Sequence, residues 1–155
     1  MSLRDRAAAC RKIAYFLNWK SGLISAWFYG ALAAWINWEH GAGAGLAAGT
    51  LQAGIAFFLT GFTAGVAQRI CDSLDRPLPA YLFGSSAPAA ITFAFSALGH
   101  WYRETPELWA TAFSATFVSF TTSMVMNAFV RNYELLPPAL QRIVRLIAMK
   151  NSKIT

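Results

Sequence analysis

The stretch GAGLAAGTLQAGIAFFLTGFTAGVA, residues 43–67, holds no Asp, Glu, Lys or Arg, and its reading decides the fold. A helix needs about 20 apolar residues, within a range of about 17–25, to cross the hydrocarbon core of a bilayer. Backbone in hydrocarbon must satisfy its own N–H and C=O groups, so such a run is a helix. Three further stretches share the property, at 22–38, 80–99 and 108–130. The sequence predicts an all-α integral membrane protein with four transmembrane helices. Composition agrees: 56% of the residues are hydrophobic and 13% are charged, against about 25% charged in an average soluble domain.

The links between these runs predict their pairing. Glu39-His40-Gly41 is so short that the first two helices must form an antiparallel hairpin. The second link, Gln68 to Pro79, is polar and ends in Arg76-Pro77-Leu78-Pro79. The third carries His100, Arg103 and Glu104, then Thr105-Pro106-Glu107. That triplet reads as a helix start, with Thr105 as N-cap, Pro106 in the first position and Glu107 favoured by the helix dipole. The result is two antiparallel hairpins. An offset of 62 residues lays Phe58 on Phe120, Thr60 on Thr122 and Arg69 on Arg131, which raises an internal duplication about an axis along the membrane normal.

Orientation follows from the basic residues. Arg4, Arg6, Arg11, Lys12 and Lys20 precede the first run, Arg69 and Arg76 lie in the second link, and Arg131, Arg142, Arg145, Lys150 and Lys153 follow the fourth. Only Arg103 falls on the other side. The positive-inside rule then places both termini in the cytoplasm, in a multi-pass protein of a cell membrane of the bacterial cytoplasmic kind. Trp35, Trp38, Trp101, Tyr102 and Trp109 mark the outer interface, and Tyr15, Trp19, Tyr81 and Tyr133 the inner one. The net charge of +6 belongs to this asymmetry rather than to a basic folded face, so nucleic acid is not an expected partner. Ala42-Gly43-Ala44 resembles a signal-peptide cleavage site, but cutting there would leave a second apolar span at the new terminus, so the first run reads as a retained helix. Cys10 and Cys71, on the cytoplasmic side, are expected to be free thiols.

Three regions are expected: an amphipathic N-terminal segment at 1–20, a four-helix domain at 21–134, and an amphipathic tail at 135–155. Pro137-Pro138 end the fourth helix. Beyond them Leu140, Ile143, Val144 and Ile147 recur at helical spacing opposite Arg142 and Arg145, which predicts an interfacial helix meeting anionic headgroups. Leu3, Ala7, Cys10, Ile13, Phe16 and Leu17 suggest a weaker one at the start.

Polar residues inside the spans are the candidate site. The fourth helix carries Thr116, Ser119, Ser123 and Asn127 on one stripe. Gln52 sits in the middle of the second helix, where an amide should point to a partner or cavity. Ser85, Ser86 and Pro88 mark a kink expected in the third helix, where proline removes a donor. With Thr60 these residues are candidates for a substrate path, or simply for helix–helix hydrogen bonds. Gly41, Gly45, Gly49, Gly61 and Gly65 give the second helix a small-residue face for close packing, within the chain or between copies. His40 and His100, the two histidines, are both expected at the outer water boundary, where they are candidate ligands for a haem b.

No span carries a charged side chain and no catalytic motif is present, so enzymatic activity and ion-driven pumping are not expected. The close of the fourth span, Asn127-Ala128-Phe129-Val130-Arg131, with the helix count and inside termini, is similar to the small four-helix flippases of the GtrA type, which move lipid-linked sugars. The similarity is confined to those features, and it implies a facilitator of an amphiphile. The first expectation is a non-catalytic auxiliary subunit of a larger membrane complex, partnered by other subunits or by itself; the facilitator is the alternative, and a haem-carrying electron-transfer subunit is the second alternative.

Overall fold

The computed structural model of the chain describes residues 19–147. Among them are five α-helices: α1 (Trp19–Ile36), α2 (Ala42–Ser73), α3 (Pro77–Tyr102), α4 (Leu108–Arg131) and α5 (Pro138–Ile147). Short 3-10 turns at Trp38–His40 and Tyr133–Leu135 complete the described elements. The expected N-terminal amphipathic segment, with Cys10, lies outside the described residues.

Three helices are long and apolar enough to cross a membrane, within Ala42–Ala67, Pro77–Tyr102 and Leu108–Arg131. The apolar part of α1, Ser21–Ile36, is shorter. The chain is a multi-pass, all-helical membrane protein. Its side-chain distribution is that of a bundle in hydrocarbon. Among the described residues the buried hydrophobic side chains are eight alanines and Val144, while the buried polar set includes Asn37, Gln52, Ser96 and His100. Large apolar side chains face out, Trp27 at 77% and Phe117 at 69% exposure among them. In water this arrangement would cost the hydrophobic effect nearly all of its contribution. In lipid it is the stable one, because small residues admit close approach and polar groups need protein partners.

Helix α2 is central, packing against both α1 and α3, while α4 pairs with α3. The α1–α2 contact is made through glycine. A Cβ on Gly49 would stand 2.8 Å from the Gly30 carbonyl oxygen and 2.9 Å from Ala34 Cβ, and one on Gly45 would stand 2.9 Å from the Trp38 ring. The expected small-residue face is thus used within the chain at Gly45 and Gly49. Gly61 is buried and Gly65 partly so. Gly41 is not part of that face: it is exposed, meets nothing, and takes φ +102° to turn the chain into α2, a conformation open to glycine at little cost.

Two local expectations need correction. Helix α4 begins at Leu108 with Glu107 at the cap position, so Thr105 is not the N-cap. Helix α3 runs on to Tyr102, a little under one turn past the expected close at Gly99, and ends where Thr105 N–H reaches the His100 carbonyl and Glu104 N–H reaches the Trp101 carbonyl. These two bonds form a Schellman motif, with Glu104 at φ 50° in the position that glycine usually takes.

The tail helix α5 has the strong amphipathicity expected of it. Val144 is buried at 1% exposure, Leu140 is partly buried, and Ile143 and Arg142 are exposed. The side chains of Arg145 and Ile147, like that of Cys71, lie outside the described ones. At the same end of the bundle the Arg131 guanidinium donates to the Leu74 carbonyl at 2.6 Å and lies over the Tyr81 ring.

Candidate functional site

A seam of polar side chains runs through the bundle, and α3 supplies its spine. Ser85, Thr92, Ser96 and His100 stand at spacings of seven, four and four, with Pro88 and Ala89 between, and all are buried. One face of a helix repeats at this period.

His100 is the centre of the first group. Sequence reasoning put it at the water boundary, yet it is fully buried at 0% exposure. The Schellman turn folds over it, and its register on α3 aims it at α2. Its Nε2 lies 2.9 Å from Gln52 Oε1 and its Nδ1 lies 2.9 Å from Thr105 Oγ. An amide oxygen only accepts, so Nε2 carries the proton, and in the neutral ring Nδ1 accepts from the Thr105 hydroxyl. Ser96 Oγ donates to the same Gln52 oxygen at 3.1 Å. Gln52 Nε2 has no hydrogen-bond partner within the protein. Leaving such a donor unmet costs about 1–3 kcal/mol.

A second group lies deeper along the seam. Thr92 Oγ and Ser119 Oγ are 3.1 Å apart, joining α3 to α4. Tyr29 of α1 stands at the same cavity as this pair. Tyr29, Gln52, Thr60, Thr63, Thr92 and Ser119 surround a cavity of about 20 Å³. Further along, the register set by Thr92 and Ser119 brings Ser85 level with Asn127, and Ser85 Oγ and Asn127 Nδ2 are both buried without protein partners.

A third group clamps the turns at the end of the bundle opposite Arg131. Asn37 at the end of α1 is 0% exposed. It donates to the Ala33 carbonyl at 3.0 Å and to Thr111 Oγ at 2.9 Å, and its Oδ1 accepts from Glu107 N–H at 3.0 Å. That last bond satisfies one of the orphan donors at the start of α4. Beside it, His40 Nε2 and Glu107 Oε1 form an exposed pair at 3.0 Å.

Of the expected path residues, Gln52, Thr60 and Ser119 meet at the cavity, and Ser85 and Asn127 face the same seam. Ser123 is only partly buried, and Ser86 lies on the exposed side of α3, apart from the rest. Thr116 is partly buried and spends its hydroxyl on the Ala112 carbonyl of its own helix. Pro88 is buried in a helix that runs unbroken through it. The two histidines do not approach a common centre: His40 pairs with Glu107, and both ring nitrogens of His100 are engaged elsewhere. Among the described residues no three His, Cys, Asp or Glu side chains cluster to hold a metal ion.

Sequence reasoning missed Tyr29, Asn37, Thr63, Thr92, Ser96, Thr105 and Thr111. The signal for two of them was available, since Thr92 and Ser96 lie four apart on the helix face that continues to His100.

A separate cleft of about 640 Å³ opens at the His100 end of the bundle, between Ala44, Ala47 and Ala48 of α2 and the turn Tyr102–Pro106. Thr105 lines this cleft and also binds His100, so the seam begins at its wall. No family model, curated protein or solved structure matches this chain.

Proposed function

We infer that this chain is a four-span, non-catalytic subunit of a larger membrane complex, threaded with both ends on the cytoplasmic side. The observation that carries the reading is the closed interior. The polar seam is consumed mostly by contacts within the bundle, and the space it lines, about 20 Å³, is far too small for a lipid headgroup. What the molecule offers to others is its exterior. On α4, Trp109, Phe113 and Phe117 stand four residues apart, all exposed, and Phe93 of α3 joins Trp109 and Phe113 in ring contact. Such a rigid aromatic ridge suits a neighbouring transmembrane helix, since packing rather than hydrophobicity drives association in lipid. Helix α1 fits the fourth span, since its 18 residues cover about 27 Å at 1.5 Å per residue.

Purification from the native membrane in mild detergent tests the reading. The expected particle contains this chain and other polypeptides in fixed ratio, and Phe113→Ala with Phe117→Ala releases them. A homogeneous homo-oligomer of this chain alone would sink it. For the threading, a membrane-impermeant thiol reagent is applied to intact cells carrying Ser73→Cys in a background lacking Cys10 and Cys71. Protection is expected, and labelling from outside reverses the orientation.

A second reading, a facilitator for an amphiphile, is favoured by the outer cleft, where Arg103 and Glu104 offer charge above an alanine floor. Lipid scrambling by the protein in reconstituted vesicles, abolished by Gln52→Leu with Asn127→Leu, would replace the subunit reading with this one.

A further inference from the structure

Two observations of different kinds meet in the middle of the bundle. One is the small cavity of about 20 Å³ beside Gln52. The other is the Gln52 amide itself, 1% exposed and with no protein partner for its nitrogen. Because Oε1 is turned to His100 and Ser96, the nitrogen is the end left for the cavity.

We propose that this cavity is a binding site for one water molecule, held by Gln52 and the surrounding hydroxyls, which joins the His100 group to the Thr92–Ser119 pair. Size, charge and bonding each select this guest. A cavity of roughly 10–15 Å³ by this measure holds one water, provided that two to four polar groups meet it. None of the lining side chains is charged, so an ion would lack compensation in hydrocarbon. The guest must accept from Gln52 Nε2. It must also donate, because Thr63 Oγ has committed its own hydrogen to the Leu59 carbonyl at 2.8 Å and can only accept. Water meets both demands, and its second hydrogen is available to the hydroxyl oxygens of Thr92 or Ser119.

With the water in place a hydrogen-bonded chain is continuous from the outer cleft to mid-membrane: Thr105, His100, Gln52, water, then the α3–α4 hydroxyls. The water also holds the amide in its orientation. Gln52 keeps its oxygen toward His100 because its nitrogen has a partner on the other side, and that oxygen keeps the His100 proton on Nε2.

The test uses the full chain in lipid nanodiscs, with ¹⁵N-labelled glutamine and histidine side chains. A magnetisation-transfer signal from a long-lived water to the Gln52 side-chain amide is expected, with His100 in the Nε2–H form. Ala56 is buried beside the cavity, and Ala56→Val fills it. This variant should lose the signal and lower the Tm, whereas Gly54→Ala, which faces open space, should leave the signal unchanged. Should Ala56→Val fail to fold, Thr63→Val removes one acceptor at constant volume, and exchange of the bound water should accelerate about tenfold, the equivalent of one hydrogen bond. No signal in the parent protein, or a signal untouched by the variant that folds, overturns the proposal. So does a higher Tm in Ala56→Val, the behaviour of a dry void being filled.

Discussion

The hairpin α1–α2 and the hairpin α3–α4 solve the same packing problem with different chemistry. In the first, Gly30 and Gly49 let two backbones touch, a carbonyl of one helix lying where a side chain of the other would begin. In the second, Thr92 and Ser119 hold the helices together by hydroxyl contact, and the rings of Phe93, Trp109 and Phe113 pack outside them. At the 62-residue offset Gly30 corresponds to Thr92 and Gly49 to Thr111, so the positions that one hairpin leaves bare the other fills with threonine. Steric closure tolerates no added atom, whereas hydroxyl closure tolerates exchange at modest cost. The hairpins should therefore differ in how they fail.

The sharpest break is Gly49→Leu. With a Cβ already at 2.8 Å from backbone oxygen, the helices must separate, and a loss of about 3 kcal/mol or more is expected in reversible unfolding in detergent. Next comes Gln52→Leu, which strips the acceptor from His100 Nε2 and Ser96 together and should cost about 2 kcal/mol. Retention of parental stability there would mean that α2 and α3 are held by shape alone. Asn37→Ala should cost about 1–2 kcal/mol and speed hydrogen exchange at the Glu107 amide, because both bonds that it makes between the two hairpins, to Thr111 and from Glu107, are lost at once. Glu104→Gly should act in the opposite direction. It relieves a left-handed residue at roughly 1 kcal/mol, raising the Tm without disturbing the His100 group. Thr92→Val is the smallest, near 0.6 kcal/mol, and a loss as large as that of Gly49→Leu would erase the contrast between the hairpins.

The helices were legible because hydrocarbon imposes a length and forbids charge, so Gly43 to Ala67 and its counterparts stand out from the sequence alone. Gln52 was legible for the same reason: a lone amide in an apolar run must find a partner. His100 and Thr105 were misread. Both lie in a polar stretch that resembles a loop, and the bonds that extend α3 over them join backbone groups that carry no residue signature, with Glu104 where a glycine would have advertised the turn. Asn37 was hidden too, since its partners Glu107 and Thr111 lie some seventy residues away, and a side chain bridging hairpins leaves no periodicity to read. Thr92 and Ser96 carry a weaker signal, since single hydroxyls in an apolar helix can bond to their own backbone, and on α4 only Ser119 and Asn127 of the polar stripe are buried.

The unequal helices of the first hairpin have a consequence for the bilayer. Helix α2, with 32 residues, is about 48 Å long at 1.5 Å per residue, while hydrocarbon is about 30 Å thick. Its partner α1, with 18 residues, is about 27 Å long. Because the glycine contacts hold the two side by side, any lean that shortens the projection of α2 shortens that of α1 as well. Membrane thickness thus acts on the two helices together: the lean that fits α2 to the hydrocarbon also sets the reach of α1.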